Sequence, residues 1–303
     1  MAPVSRSAQF AHVYKVLKKH YKPVAPDPQR QVLEHLLLGC CLEDAHYAAA
    51  DEAFAALVHN FFDWNEVRVT SIRELCEVTN SLPAPQAAAG RLKRVLQSIF
   101  EASYSFDLEE LRKKNLGPTV KWLETLDGTT NFTVAYVIQA ALGGHAIPVD
   151  AGTLRALRVV DLVSAEDVAA GVVPGLERAV AKSKGVEFSS LLHQLGADFT
   201  VNPYAANLRK ILLEINPEAA DRLPKRRAAK KAAAVSDDSG SATKPAKKTR
   251  RKKAPAEATP TPVKKKRGPK KKTPANHEQE PAETAGSSKK KTATKRLSKR
   301  KPR

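Results

Sequence analysis

Apolar residues recur at helical spacing along the first 223 positions of the chain. In the segment 32–38, for example, Val32, Leu33, Leu36 and Leu37 recur three or four positions apart, which is the spacing of one buried helix face. Comparable patterns predict helices over residues 10–20, 27–42, 45–62, 71–78, 85–102, 108–114, 118–126, 132–142, 151–160, 164–181, 188–195 and 205–215. Convincing strand-like alternation of apolar and polar residues is absent from the sequence. Short turns between many short helices favour an all-α, compact multi-helix domain over residues 1–223.

The composition changes abruptly at residue 224. From there to residue 303 the chain is dominated by Lys, Ala, Pro, Thr and Ser, and it contains no aromatic residue. Such a segment cannot bury enough apolar surface to offset the entropy that is lost on ordering. We therefore expect residues 224–303 to form a disordered tail.

This tail carries the positive charge of the chain. Residues 225–303 contain 28 Lys and Arg against 6 Asp and Glu, a net charge of +22, whereas residues 1–224 have a net charge of −3. The asymmetry indicates a polyanionic partner, with nucleic acid ahead of an anionic membrane. Blocks of lysine have no geometry for reading bases, so they would bind double-stranded DNA of any sequence. The candidate phosphate contacts in the tail are Lys247, Lys248, Arg250, Arg251, Lys264, Lys265, Lys266 and Arg267.

Cysteine usage and hydropathy narrow the class of protein. Cys40, Cys41 and Cys76 lack the spacing of zinc ligands or of a disulfide framework, so no metal site is predicted. No apolar run is long enough to cross a bilayer, and residues 1–10 lack the hydrophobic region of a signal peptide. We expect an intracellular, DNA-associated monomer, in a bacterial nucleoid or a nucleus, without a membrane partner.

One stretch carries the candidate chemistry. A glycine-containing turn, Leu126-Asp127-Gly128-Thr129-Thr130-Asn131, precedes an apolar helix, and Asp150 then precedes the next helix. A helix–turn–helix joint with glycine can direct main-chain N–H groups at a DNA phosphate, although a plain turn is the commoner meaning of one glycine. Asp150 can be a catalytic carboxylate or a helix N-cap, and the two roles are compatible.

The stretch resembles the helix-hairpin-helix DNA glycosylases, and the endonuclease III branch in particular. The family pattern is Leu-Pro-Gly-Val-Gly before Lys-Thr-Ala, then an apolar helix, then Val-Asp-Thr-His followed shortly by Arg. Here Leu126 and Gly128 match the hairpin, and Val149, Asp150 and Arg155 match the second segment. Similarity extends over about residues 10–215.

The resemblance implies roles for these residues. Asp150 would activate water or stabilise the oxocarbenium-like sugar as a base departs, because an anion near a developing cation lowers the barrier. Gly128, Thr129, Thr130, Asn131 and Arg155 would contact DNA.

The sequence also departs from the family. Phe132 stands where the bifunctional members have the lysine that forms a Schiff base, so that covalent lyase route lacks its nucleophile. Thr130 replaces the second hairpin glycine, and its side chain disfavours the close approach of a phosphate. The cluster-binding cysteines would fall within residues 201–215, where this chain has none, so no iron–sulfur cluster and no other cofactor is expected.

Taken with the resemblance, these features predict a base-excision repair protein. It would be a monofunctional DNA N-glycosylase that flips a damaged base, hydrolyses its glycosidic bond and leaves the abasic site uncut. One alternative is a catalytically inactive DNA-binding or architectural protein on a glycosylase fold. Another is an abasic-site lyase that uses a different amine.

Overall fold

A computed structural model describes residues 5–225 of the protein. The predicted disordered tail, with its candidate lysine and arginine contacts at 247–267, lies outside the described residues apart from positions 224 and 225. Residues 5–225 form thirteen α-helices and two 3₁₀ helices, with no strand. The α-helices are α1 Arg6–His20, α2 Val32–Leu42, α3 Tyr47–Asn60, α4 Trp64–Val69, α5 Ile72–Val78, α6 Pro85–Ser103, α7 Leu116–Thr125, α8 Asn131–Ala140, α9 Ala151–Val159, α10 Ala165–Ala170, α11 Leu176–Ala179, α12 Lys182–Val201 and α13 Ala206–Ile215. The 3₁₀ helices are Glu109–Lys113 and Pro217–Asp221.

Local capping explains where several helices begin. The side chains of Ser5, Asp63 and Ser71 accept hydrogen bonds from the first-turn amides of α1, α4 and α5. The Asp63 cap creates α4 at a place where the apolar pattern predicts only a break. The Glu34 carboxylate accepts the Gln31 N–H at 2.9 Å, so α2 begins at Val32 and not at residue 27.

The predicted helix over 164–181 is two short helices in the structure. Gly171 adopts φ +69° and ends α10, and Gly175 adopts φ +73° immediately before α11. Left-handed backbone at two glycines interrupts the helical path even though the apolar spacing continues. The 108–114 helix is likewise a 3₁₀ helix, and α12 is longer than predicted at both ends.

The apolar side chains form two cores. The first is built from helices α2–α8, and every residue of its central helix α2 except Glu34 is buried. The second combines α1 with α9–α13, so the N-terminal helix packs with the C-terminal ones. The loop between α8 and α9 passes from one core to the other at Ala146 and Ile147. In residues 5–225, no helix has both the length and the apolar character that crossing a membrane requires.

Candidate nucleic-acid interface and the Asp150 site

The predicted hairpin is formed by α7, a tight turn and α8. Gly128 has φ +90°, and a Cβ atom at this position would lie 2.8 Å from Arg94 Cβ and 2.9 Å from the Arg91 carbonyl oxygen. Glycine is therefore required both by the backbone conformation and by contact with α6. The neighbouring Asp127 N–H donates to Ser98 Oγ at 3.1 Å. These two contacts hold the hairpin turn directly on α6.

Thr130 caps α8 where the family has a glycine. Its Oγ1 accepts the Thr133 N–H at 3.1 Å, and Thr133 Oγ1 accepts the Thr130 N–H at 2.8 Å. This reciprocal pair occupies two of the orphan amides of the helix start. Among the described residues, the next amides, those of Asn131 and Phe132, have no acceptor. Asn131 is exposed, so the start of α8 remains open to an anion.

An acid lies beside this helix start. Thr130 Oγ1 donates to Glu43 Oε2 at 3.0 Å, and Arg91 Nε lies 3.3 Å from the same oxygen. Burial raises the pKa of Glu43, and the opposing effects of Arg91 and the Thr130 hydrogen bond do not cancel this rise. Glu43 thus links the end of α2 to the hairpin and to α6. Thr129 is held by its own segment, through hydrogen bonds to the carbonyl groups of Leu123 and Leu126.

Asp150 is the N-cap of α9 and is completely buried. Its Oδ1 accepts the Thr153 N–H at 2.7 Å, and its side chain is 0% exposed. The second oxygen, Oδ2, lies 3.0 Å from Nδ1 of His193, a buried residue of α12. His193 Nε2 in turn lies 2.8 Å from the Ala45 carbonyl oxygen.

These contacts define where the protons lie. A carbonyl oxygen can only accept, so His193 Nε2 carries the hydrogen of its bond to Ala45. A favourable contact between Nδ1 and the Asp150 carboxyl group then needs a second proton between them. The ring N–H is not aligned for a regular hydrogen bond, so Nδ1 and Oδ2 are paired by distance alone, and the pair is ionic when the imidazole is protonated. Burial opposes ionisation, yet His193 and the Thr153 amide together hold the pKa of Asp150 below its usual value.

Two glycines bring Asp150 to His193. A Cβ atom on Gly152 would overlap the Gly196 carbonyl oxygen and Thr200 Oγ1, and one on Gly196 would overlap Thr153. Helices α9 and α12 therefore cross in backbone contact, which only glycine permits. The Gly152 N–H donates to Asp44 Oδ1 at 2.9 Å, so a second carboxylate occupies the start of α9.

Aromatic rings cover the ion pair. Phe132 is 2% exposed, and its ring centroid lies 5.4 Å from that of His193. It also stacks on Tyr136 at 6.4 Å, and Tyr47 meets His193 edge-on at 5.1 Å. The position that is a lysine in bifunctional glycosylases is thus filled by a phenyl ring in the immediate surroundings of Asp150. In this arrangement the Asp150 carboxylate has no solvent-exposed surface.

Arg155 makes its contact away from the Asp150 carboxylate. Arg155 is exposed and donates to Thr200 Oγ1 at 3.0 Å, so it does not brace Asp150. His193 contacts Asp150 and Glu43 contacts Thr130, and each of the two is far in sequence from the residue that it contacts. The sequence signal for His193 is a polar residue at an apolar helical position, between Leu192 and Leu195. The sequence also offers Glu43, with Asp44, as an acid pair that could face a pocket.

The segment that would hold an iron–sulfur cluster does not fit one. In residues 201–215, Leu208, Ile211, Leu212 and Ile215 of α13 pack into the second core. The chain has no cysteine after Cys76. Among the described residues, no group of three or more His, Cys, Asp and Glu side chains is arranged to hold a metal ion.

Comparisons with known proteins identify the fold. No protein-family model matches the sequence, and no curated protein matches it either. Among solved structures, an endonuclease III–DNA covalent intermediate matches with a TM-score of 0.53 and 15% identity, covering 73% of this chain and 100% of that one. A non-covalent endonuclease III–DNA complex matches with a TM-score of 0.51 and 16% identity, covering 74% and 100%. The protein therefore has the helix-hairpin-helix DNA glycosylase fold of endonuclease III, as its hairpin and Asp150 segments predicted.

Proposed function

We propose that this protein binds duplex DNA on a glycosylase fold without excising bases. The hairpin around Gly128 and the basic region after residue 224 would contact the phosphate backbone, and binding would be largely independent of sequence. Asp150 would act as a structural cap and ion-pair partner. The observation that carries this proposal is the complete burial of the Asp150 carboxylate against His193, beside a hairpin whose helix start stays open.

The hairpin supports the DNA-binding part. Gly128 and Ser98 hold the turn on α6, so its geometry is set before any ligand arrives. The free amide at the exposed Asn131 lies at the positive end of the α8 dipole, a favourable place for a phosphate. The net charge of +22 in residues 225–303 adds an attraction that any DNA sequence satisfies. A DNA-associated location inside the cell follows from this proposal.

The surroundings of Asp150 support the non-catalytic part. Stabilising an oxocarbenium-like sugar requires the carboxylate to lie next to that sugar, and here His193, Thr153 and Phe132 occupy its surroundings. Reaching it would require parting Phe132 from His193 and breaking a buried ion pair. Neither contact is needed for a hairpin to bind phosphates.

A negative charge placed at the start of α8 tests the proposed DNA binding. Asn131→Asp should stabilise α8, because an acid at the N-terminus favours the helix by about 0.3–1 kcal/mol. It should also weaken binding to a duplex at least about fivefold, since like charges ~4 Å apart repel by about 1 kcal/mol even in water. The matched control is Asn80→Asp, an exposed residue after α5. Equal affinities of the two variants in fluorescence anisotropy, with folding intact, would contradict the hairpin interface.

The second candidate is the monofunctional glycosylase, which one observation favours. The pKa of Asp150 is lowered, so the group is anionic at neutral pH, as stabilisation of a sugar cation requires. In this mechanism the closed site would open on DNA and a damaged base would be flipped into it. The full-length protein is incubated with duplexes that carry different lesions and then treated with alkali.

The two candidates differ in the outcome of that assay. We expect no alkali-labile cleavage that depends on Asp150, when the protein is compared with its Asp150→Asn variant. Asp150-dependent cleavage of any lesion duplex would establish the glycosylase and refute the non-catalytic proposal. Borohydride trapping on an abasic duplex checks in parallel for a lyase that uses another amine, and we expect no trapped complex.

A further inference from the structure

A cleft of about 490 Å³ lies next to the hairpin, on the side of α4 and α6. Its lining includes three cationic side chains, Arg68, Lys93 and Arg94, together with the hairpin residue Asp127. None of the predicted contacts of the hairpin or the tail includes these cations. We call this surface the α6 cleft.

The cations of the α6 cleft have no carboxylate partner within residues 5–225. The Arg68 guanidinium donates to the neutral side chains of Asn65 and Gln97, and it stacks on Phe100 at 4.2 Å. Lys93 Nζ donates to the Arg68 and Thr70 carbonyl oxygens at 2.8 and 2.7 Å. Neutral groups thus hold two positive charges in place without neutralising them. This contrasts with Arg91, one turn earlier on α6, which is paired with Glu43.

Arg94 is the free member of the set. It is exposed, and it forms no ion pair or hydrogen bond with any described residue. Its Cβ lies against Gly128, so its side chain starts at the hairpin turn itself. Because Gly128 and the Asp127–Ser98 hydrogen bond hold the turn on α6, the Arg94 Cβ has a fixed place beside the hairpin.

We propose that the α6 cleft is a second phosphate-binding surface, in which Arg94 contacts the DNA backbone next to the phosphate held at the hairpin. Lys93 and Arg68 line the same cleft and add positive charge to it. The acids of the cleft, Asp127 and Glu101, reduce its positive charge but leave the three cations in excess. Glu101 is also engaged, because it accepts a hydrogen bond from Gln97 Nε2 at 2.5 Å. This inference rests on the proposed DNA binding and adds a residue and a surface to it.

The experiment measures duplex affinity of the full-length protein by fluorescence anisotropy at several salt concentrations. The slope of log K against log salt is negative, and one lost phosphate contact makes it shallower by about 0.9. This corresponds to roughly an eightfold loss of affinity at 0.1 M salt. We expect this change for Arg94→Gln and no change of slope for Arg94→Lys, which keeps the charge. The matched control is Lys15→Gln, an exposed residue of α1 in the other core, which makes the same change in net charge.

The outcomes separate this inference from the function on which it rests. If Arg94→Gln and Lys15→Gln bind alike while Asn131→Asp binds weakly, the α6 cleft is not an interface and hairpin binding stands. A loss of slope in Arg94→Lys equal to that in Arg94→Gln would also overturn the phosphate contact. If the unmodified protein shows no salt-dependent binding, the proposed DNA binding itself fails.

Discussion

Replacing His193 tests the structural role of Asp150. His193→Leu places an apolar side chain of similar size in α12 and leaves the Asp150 carboxylate buried without its partner. Removing one partner of a buried ion pair costs about 3–5 kcal/mol, because the remaining charge stays desolvated. For a folded body of this size, that loss lowers Tm by roughly 6–20 °C.

A double variant, His193→Leu with Asp150→Asn, relieves the stranded charge. Adding Asp150→Asn removes the stranded charge, while the Asn side chain can still cap the Thr153 N–H. The double variant should therefore be more stable than His193→Leu alone, although it carries one more substitution. Asp150→Asn alone should be mild, since its amide can donate to His193 Nδ1.

The pH dependence of the free energy of unfolding also reports on the Asp150 carboxylate. In the unmodified protein the pKa of Asp150 is lowered by folding, so its stabilisation is present above the unfolded pKa of about 3.9 and is lost as the pH falls through the folded value. In His193→Leu, only the hydrogen bonds from Thr153 still oppose the effect of burial, so the pKa of Asp150 rises. The stability lost in His193→Leu, relative to the unmodified protein, should then become smaller as the pH falls from 7 towards 5.

Urea denaturation followed by the fluorescence of Trp64 and Trp122 measures these differences. Two results would refute the structural role of the pair. One is a loss below about 1 kcal/mol in His193→Leu at pH 7, which is less than breaking a buried pair costs. The other is a double variant that is less stable than His193→Leu, because relief of the stranded charge would then be absent.

Two further predictions concern packing and burial. Gly196→Ala should destabilise the protein by about 1–3 kcal/mol or more, because its methyl group would overlap Thr153. Gly90→Ala has open space around it in α6 and should stabilise the protein by about 0.5–1 kcal/mol. Urea midpoints compare the two variants, and equal effects would contradict the close crossing of α9 and α12. His35 is 1% exposed, and neither of its ring nitrogens has a hydrogen-bond partner among residues 5–225. Burial, with Arg30 and Arg112 nearby, lowers the pKa of His35. Because the buried His35 resists protonation, the free energy of unfolding should fall as the pH drops below about 6.5. His35→Leu should flatten that decline in urea titrations at about pH 5–7. An unchanged pH profile in this variant would contradict the effect of His35.

The helical class and the hairpin were readable from the sequence because their causes are local. Apolar residues at helical spacing predict α2 and α8, and the glycine at position 128 is required by a backbone angle of its own turn. Asp150 was likewise identifiable as a helix N-cap from its place before α9. Local signals failed where two of them conflicted, as in the predicted helix 164–181, where left-handed glycines overrode the apolar spacing.

The surroundings of Asp150 were decided by tertiary structure alone. Whether its carboxylate meets solvent, a sugar or another side chain depends on α12 approaching α9, and this approach depends on Gly152 and Gly196 lying opposite each other. His193 pairs with Asp150 only through that crossing. A sequence specifies which groups can ionise or cap a helix, but distant backbone packing determines which charge each one meets, and here that determines whether an acid faces a substrate or a histidine.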